Sequence, residues 1–422
     1  MQTVLSAEFR DTARGRAAES ILRQCVHCGF CNATCPTYEL LGDELDGPRG
    51  RIYQMKQFLE GAADGVAMRP HLDRCLLCRN CESTCPSGVE YGRLFDLTQA
   101  ALAEKRPRRR ADRLRRRLLT RLLTGRRSFR ALLQLGRLAK RLAPRWLAPR
   151  WLEKVPDARP RLNLDLPRPP GDGHSHSDSG DGDDRARRRM LALGGCVQSA
   201  LAADTNRAAA QVLARCGIEL FEAPGAGCCG GVALHTCGAA EGRATARRLI
   251  DAWLPHLERG AEAVVITASG CGVTVKDYPH LFADDPDYRD KAQRVSERAV
   301  DLCEVIAREL PADYAPATTP PQRVAFHAPC TLQHGLQIRG VVESLLARAG
   351  HSLCQVRDAH LCCGSAGTYS ILQPRIAAQL RQNKRAALTA EAPAVVCTAN
   401  IGCQMHLSAP GRPLAHWIEL LV

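Results

Sequence analysis

The sequence predicts a multidomain chain, with an α-helical N-terminal domain followed by two repeated α/β units. Three observations predict it. Two cysteine runs of identical spacing fall within the first hundred residues. Cysteines recur in register in the second half. A basic stretch and a Gly/Ser/Asp/His-rich stretch lie between. The expected boundaries are 1–100 for the N-terminal domain, 101–187 for the spacer, 188–315 for the first unit and 316–422 for the second.

The N-terminal domain follows from its cysteines. The first run is Cys25-Val-His-Cys28-Gly-Phe-Cys31-Asn-Ala-Thr-Cys35-Pro36 and the second is Cys75-Leu-Leu-Cys78-Arg-Asn-Cys81-Glu-Ser-Thr-Cys85-Pro86. Both match C-x2-C-x2-C-x3-C-P, the spacing of [4Fe–4S] ligation. Thiolates are the soft donors that iron–sulfur clusters require. Three cysteines at two-residue gaps let one tight loop hold three corners of a cubane. The fourth cysteine, just before proline, ligates the other cluster where two clusters share a domain. The expected sets are therefore Cys25, Cys28, Cys31 and Cys85 for one cluster, and Cys75, Cys78, Cys81 and Cys35 for the other. A zinc ribbon needs only paired cysteines and leaves half of these unexplained. Residues 51–60 and the segment after Cys85 read as helices, which suits a helical ferredoxin-like domain.

The chain has 21 cysteines among 422 residues. Such an excess signals either a secreted disulfide framework or a metal protein in a reducing compartment. The N-terminal MQTVLSAEFRDTARGR is charged and has no apolar signal core. The second reading, with a cytoplasmic location, is the expectation. The longest apolar stretch, from Leu191 to Ala203, is shorter than the ~18–20 residues of a membrane span.

The spacer explains the charge. The net charge is +14, but residues 105–154 hold 19 Lys and Arg against only Asp112 and Glu153. That segment alone carries +17, so the rest of the chain carries about −3. Leu114, Leu118, Leu119, Leu122, Leu132, Leu133, Trp146 and Trp151 recur among the arginines at helical intervals. An amphipathic basic helix of this kind fits an anionic membrane surface or a partner subunit better than nucleic acid. The GDGHSHSDSGDGDD segment that follows cannot build a core.

The two α/β units follow from the repeat. Cys196 precedes Cys228-Cys229-Gly230 by 32 residues, and Cys330 precedes Cys362-Cys363-Gly364 by 32. Gly270-Cys271 and Gly402-Cys403 close the units. Matching offsets indicate duplication. Each unit reads strand, helix (199–215 or 331–349), strand, CCG turn, helix (about 239–258 or 370–390) and strand. Such alternation implies a largely parallel sheet, whose ligands sit beyond the C-terminal strand ends. The cysteines lie there in both units.

The CCG pattern resembles the cysteine-rich domain family of heterodisulfide reductase subunits and of glycolate oxidase and anaerobic glycerol-3-phosphate dehydrogenase iron–sulfur subunits. The family pattern ends in C-x-x-C. Here Ala268 and Asn400 stand where its first cysteine would be. Each unit still offers four cysteines, Cys196, Cys228, Cys229 and Cys271 or Cys330, Cys362, Cys363 and Cys403, for an additional cluster. The rival reading, favoured by the missing cysteines, is a retained fold that contacts a flavin partner or a quinone. Cys216, Cys237, Cys303 and Cys354 read as small hydrophobes. Cys397 ends a strand near the second set. His327 and His334, flanking Cys330, read as structural rather than ligating.

Taken whole, the chain resembles the glycolate oxidase iron–sulfur subunit family. His27–Tyr38, Asp46–Gly61, Cys362–Pro374 and Cys397–Leu407 carry the likeness. The resemblance implies an electron-transfer subunit with two [4Fe–4S] clusters, working with flavoprotein subunits of a glycolate dehydrogenase type. FAD is expected in the partner, since no Gly-rich dinucleotide fingerprint occurs here. No substrate chemistry, and so no catalytic residue, is expected on this chain. The acceptor would be a quinone or similar, which suggests a peripheral position on the cytoplasmic face of the inner membrane. The alternatives are a heterodisulfide-reductase-like protein or the anaerobic glycerol-3-phosphate dehydrogenase subunit.

Overall fold

A computed structural model describes residues 1–142, 188–236, 238–316, 319–409 and 412–422. Cys237, Trp146, Trp151 and the GDGHSHSDSGDGDD segment lie outside the described residues.

The N-terminal region is helical. Its main helices are α1 (Ala13–Gln24), α2 (Pro48–Leu59) and α3 (Tyr91–Lys105). Thr12 caps α1 by accepting from Gly15 N at 2.9 Å. Proline opens α2, where the missing N–H costs nothing. Ile52, Met55, Phe58 and Leu59 of α2 face Leu94, Phe95, Ala101 and Leu102 of α3 and Ile21 and Leu22 of α1 in one core. This helical stripe spacing is what residues 51–60 predict. Both cysteine runs lie against that core.

Two basic helices follow, α4 (Arg110–Thr124) and α5 (Arg126–Leu142). Phe129 and Leu133 are buried, whereas Leu114, Leu118, Leu132, Leu135 and Leu138 are exposed. Arg130 donates to Ser199 O at 3.1 Å and ties α5 to the first unit.

Each repeated unit holds a four-stranded, wholly parallel sheet. In the first, β1 (Arg188–Ala192), β2 (Ile218–Phe221), β3 (Val264–Ile266) and β4 (Ala299–Asp301) lie in the order β2-β1-β3-β4. In the second, β5 (Arg323–His327), β6 (Ser352–Leu353), β7 (Val395–Thr398) and β8 (Ala415–His416) lie in the order β6-β5-β7-β8. The same order twice is the structural form of the duplication. The helices after the CCG turns, α6 (Ala239–Glu258) and α7 (Pro374–Thr389), fall where the periodicity predicts them.

Two details differ from expectation. The stretch 331–349 is not one helix. A single π turn, Thr331–Gly335, is separated from the helix Val341–Arg348 by Gln337 and Gly340, both at positive φ. Leu336, at that break, packs near Gly272 of the other unit. The fourth strands were not expected, because two or three residues carry no readable alternation.

The units share one core. Met190, Val212, Leu213 and Ile306 of the first cluster with Val324, Leu345, Trp417 and Leu421 of the second. Ser269 Oγ meets Thr331 Oγ1 at 2.7 Å, and His416 Nε2 meets Thr267 O at 2.9 Å. The chain's C-terminal residues are buried in this seam.

Candidate metal centres

The structure brings the eight N-terminal cysteines into two adjacent recesses. Cys25, Cys28, Cys31 and Cys85 line the first, of about 440 Å³, together with His27, Phe30 and Arg49. Cys35, Cys75, Cys78 and Cys81 line the second, of about 330 Å³, together with Thr37, Leu76 and Arg51. Each recess thus takes three cysteines from one run and the proline-preceding cysteine from the other. Pro48, Cys81 and Tyr91 contribute to both walls.

The backbone of the two loops has the same conformation. His27 (φ 62°) and Gly29 (φ 89°) correspond to Leu77 (φ 50°) and Arg79 (φ 58°). A left-handed Leu or Arg costs roughly 1–2 kcal/mol. Alternating left-handed residues turn successive N–H groups toward one side, the arrangement that receives anions and sulfides. Strain repeated at equivalent positions of two loops is explained by a ligand that both must wrap. Gly29 has a second reason to be glycine, since a Cβ there would lie 2.5 Å from Arg49 Nη1.

The charges around the sites are organised. Burial, then Cys25 and Cys85, push the Cys31 thiol up to about 12. Burial also raises Cys25, and it raises Cys78 and Cys81 strongly. Thiols raised in this way resist ionisation unless a cationic centre joins them. The donor set therefore fits iron. Beside the second recess, the buried Arg51 donates to His71 O (2.9 Å) and Thr37 Oγ1 (3.1 Å), and its Nη1 lies 4.0 Å from Cys35 Sγ. Asp46 balances it, paired with Arg51 at 3.4 Å, Arg74 at 2.7 Å and His71 Nδ1 at 3.1 Å.

The second recess abuts the second repeated unit. Leu76 and Cys78 cluster with Cys330, Cys362 and Tyr369. Tyr369 Oη donates to Arg74 O at 2.8 Å, and Asn80 Nδ2 donates to His360 O at 3.2 Å. Ser83 Oγ meets His334 Nδ1 at 2.8 Å, while His334 Nε2 meets His360 O at 2.9 Å, so His334 is a structural histidine, as expected. Arg79 pairs with Asp277 of the first unit.

Within the units the CCG cysteines also gather. In the first, the neighbouring thiols of Cys228 and Cys271 lower the Cys229 pKa, and Cys228 lowers that of Cys196. In the second, Cys330 Sγ lies 3.7 Å from Cys362 Sγ, and Cys363 is beside both Cys362 and Cys403. The ligand-capable atoms of His327, Cys363 and Cys403 lie within 4.8 Å of one another. Asn400, at the missing-cysteine position, donates to Cys403 Sγ at 3.5 Å and accepts from Gly270 N at 3.3 Å. It is spent on the sulfur and on the seam. Cys397 packs in the shared core instead of joining the set. Cys303 is buried, and Cys216 and Cys354 are half-buried. Sequence reasoning missed Arg51 and Lys384, whose buried charges beside thiolates no local pattern announces.

A helical domain with two four-cysteine recesses, docked on tandem parallel-sheet units with CCG turns, defines an iron–sulfur electron-transfer protein. The comparisons agree. Residues 21–89 match the model of the 4Fe-4S dicluster domain, and residues 191–276 and 324–408 both match that of the cysteine-rich domain. The chain is 48% identical over 422 residues to the glycolate oxidase iron–sulfur subunit of Escherichia coli (strain K12), covering 100% of this chain and 98% of that protein. It is 27% identical over 411 residues to the probable glycolate oxidase iron–sulfur subunit of Bacillus subtilis (strain 168), covering 95% and 91%. Lactate utilization protein A of Bacillus licheniformis is 28% identical over 213 residues, half of this chain and 87% of that one. The chain belongs to the glycolate oxidase iron–sulfur subunit family.

Proposed function

We propose that this chain is the iron–sulfur electron-transfer subunit of a glycolate oxidase-type complex. In it, a partner flavoprotein carrying FAD oxidises glycolate or D-lactate, and electrons leave through this chain to a quinone-type acceptor. The observation that carries the proposal is the adjacency of the two recesses, with Cys81 and Tyr91 in both walls.

Cys25, Cys28, Cys31 and Cys85 would hold one [4Fe–4S] cluster, and Cys75, Cys78, Cys81 and Cys35 the other. Such clusters supply one-electron transfer, which lets a two-electron flavin couple deliver its electrons singly. The chain's own residues give the two recesses different surroundings. Cys28 is exposed and gives the first recess an outer edge. The second recess is inner, bordered by Arg51 and by the second repeated unit. A buried guanidinium favours the more negative, reduced state of a neighbouring centre.

Among the described residues no helix is long and apolar enough to cross a membrane. The exposed leucines of α4 and α5 lie among arginines, a composition that fits the surface of an anionic bilayer. This supports a peripheral position, on the cytoplasmic face of the inner membrane. The proposal is tested by isolating the complex, adding glycolate without oxygen and following the clusters by EPR. Reduction of the clusters in the complex, and not in this subunit alone, is the expected result.

A further inference from the structure

The two repeated units differ at one spot that the duplication should have made identical. Counted back from the first cysteine, His327 of the second unit corresponds to Leu193 of the first. Counted back from the closing cysteine, Thr398 corresponds to Ile266. His327 and Thr398 are paired across β5 and β7, and β1 and β3 run in the same register. Counted on from the CCG glycine, Lys384 of α7 corresponds to Ile250 of α6. All of these side chains are buried. One unit therefore has an apolar lining behind its cysteines, and the other buries a histidine, a threonine and a lysine at the same place. Buried polar groups cost free energy unless something there uses them.

The hydrogen bonds show what the histidine offers. The Thr398 hydroxyl donates its single proton to His327 O at 3.0 Å. Its contact with His327 Nδ1, also 3.0 Å, must then be one in which Nδ1–H donates. That fixes the tautomer and leaves the lone pair on Nε2. His327 is only 2% exposed, and Nε2 has no hydrogen-bond partner among the described residues. A ring nitrogen of His327 and the sulfurs of Cys363 and Cys403 all lie within 4.8 Å of one another, and Nε2 is the nitrogen left to serve them. A ring held by a hydrogen bond at one nitrogen and open at the other is the usual state of a ligating histidine. Lys384 Nζ, anchored on Asp358 O at 2.5 Å, adds a positive charge near Cys362 and Cys363.

We propose that the second unit holds a metal centre of mixed thiolate and imidazole ligation, with Cys363, Cys403 and His327 Nε2 as ligands. The donor set suits Zn2+ or the iron of a small cluster. Cys330 and Cys362, adjacent to it, supply the remaining thiolates. The first unit, with Leu193 in place of the histidine, does not share this site. His327 is thus a ligand where its sequence context suggested a structural role.

The test is metal analysis of the full chain, purified without oxygen, beside His327→Leu. That variant copies the side chain the first unit already tolerates. The wild type should contain zinc, or iron beyond the about 8 atoms of two [4Fe–4S] clusters. If the surplus is zinc, X-ray absorption at its edge should show nitrogen at about 2.0–2.1 Å beside sulfur at about 2.3 Å. If it is iron, the stoichiometry itself reports it. His327→Leu should lose the surplus metal and keep the N-terminal irons. Should that variant misfold, Thr398→Val keeps the ring but removes its Nδ1 partner, together with the bond to His327 O, and should weaken metal affinity about 10–100-fold. No metal beyond the eight irons, or a surplus unchanged in both variants, overturns the proposal. A chain that keeps the surplus but lacks the eight irons supports it while contradicting the electron-transfer reading, so the two fail separately.

Discussion

The hydroxyl of Tyr91 donates to Cys75 Sγ at 3.5 Å, and the same side chain forms part of the wall of both recesses. Hydrogen bonds to ligand sulfurs stabilise the reduced state of a cluster. Tyr91→Phe should therefore lower the reduction potential of the centre in the second recess by roughly tens of millivolts. The first centre, which Cys75 does not line, should keep its potential. Redox titration followed by EPR distinguishes the two; a shift of the first centre alone would sink the assignment.

The crossed arrangement makes Cys85 a member of the first recess, although it belongs to the second run. Cys85→Ser should damage the centre built on Cys25, Cys28 and Cys31 and leave the other intact. Iron content and the EPR of the surviving centre report the outcome. Loss of only the second-recess signal would refute the crossed ligand sets.

Backbone conformation predicts an asymmetry between two small changes. Gly29→Ala meets both a φ of 89° and the Arg49 guanidinium, and should cost about 1–3 kcal/mol, with loss of iron from the first recess. Leu77→Gly relieves a left-handed leucine at φ 50° and should leave iron content unchanged. Denaturant unfolding with iron analysis tests both.

Arg51 and Asp46 are each 1% exposed, and Arg51 also borders Cys35. Arg51→Gln removes a buried cation and leaves Asp46 with Arg74 and His71. It should destabilise the domain by about 3 kcal/mol and make the second centre harder to reduce. An unchanged midpoint potential in a folded variant would show that this charge does not tune the centre.

The exposed leucines of α5 give a membrane prediction. Leu132→Glu with Leu135→Glu should reduce binding to vesicles containing phosphatidylglycerol several-fold, and high salt should weaken binding of the wild type. Sedimentation with vesicles measures it. Equal binding to neutral and anionic vesicles would argue that α4 and α5 serve a partner protein instead.

Much of this was legible because it is local. The C-x2-C-x2-C-x3-C-P runs place three thiols on one loop, and the proline-preceding cysteine must leave that loop. Helix α2 was readable from Ile52, Met55 and Phe58 at helical spacing. The strands β4 and β8 were not readable, because Ala299–Asp301 and Ala415–His416 are paired by neighbours distant in sequence. The strained φ of Leu77 and Arg79 leaves no mark in residue type; only alignment with His27 and Gly29 points to it. The role of His327 needed Thr398, 71 residues away, to fix its tautomer. The contact of Cys78 with Cys330 and Cys362 is likewise a fact of packing between domains.

The central claim is that electrons from a 2-hydroxy acid enter the N-terminal clusters of this chain. The direct measurement is EPR of the anaerobic complex with its flavoprotein partners, before and after adding glycolate. The account predicts a reduced [4Fe–4S] signal that appears with glycolate and is lost or altered when Cys78→Ser replaces the wild-type subunit. A flavin that is reduced by glycolate while both clusters stay oxidised would contradict it.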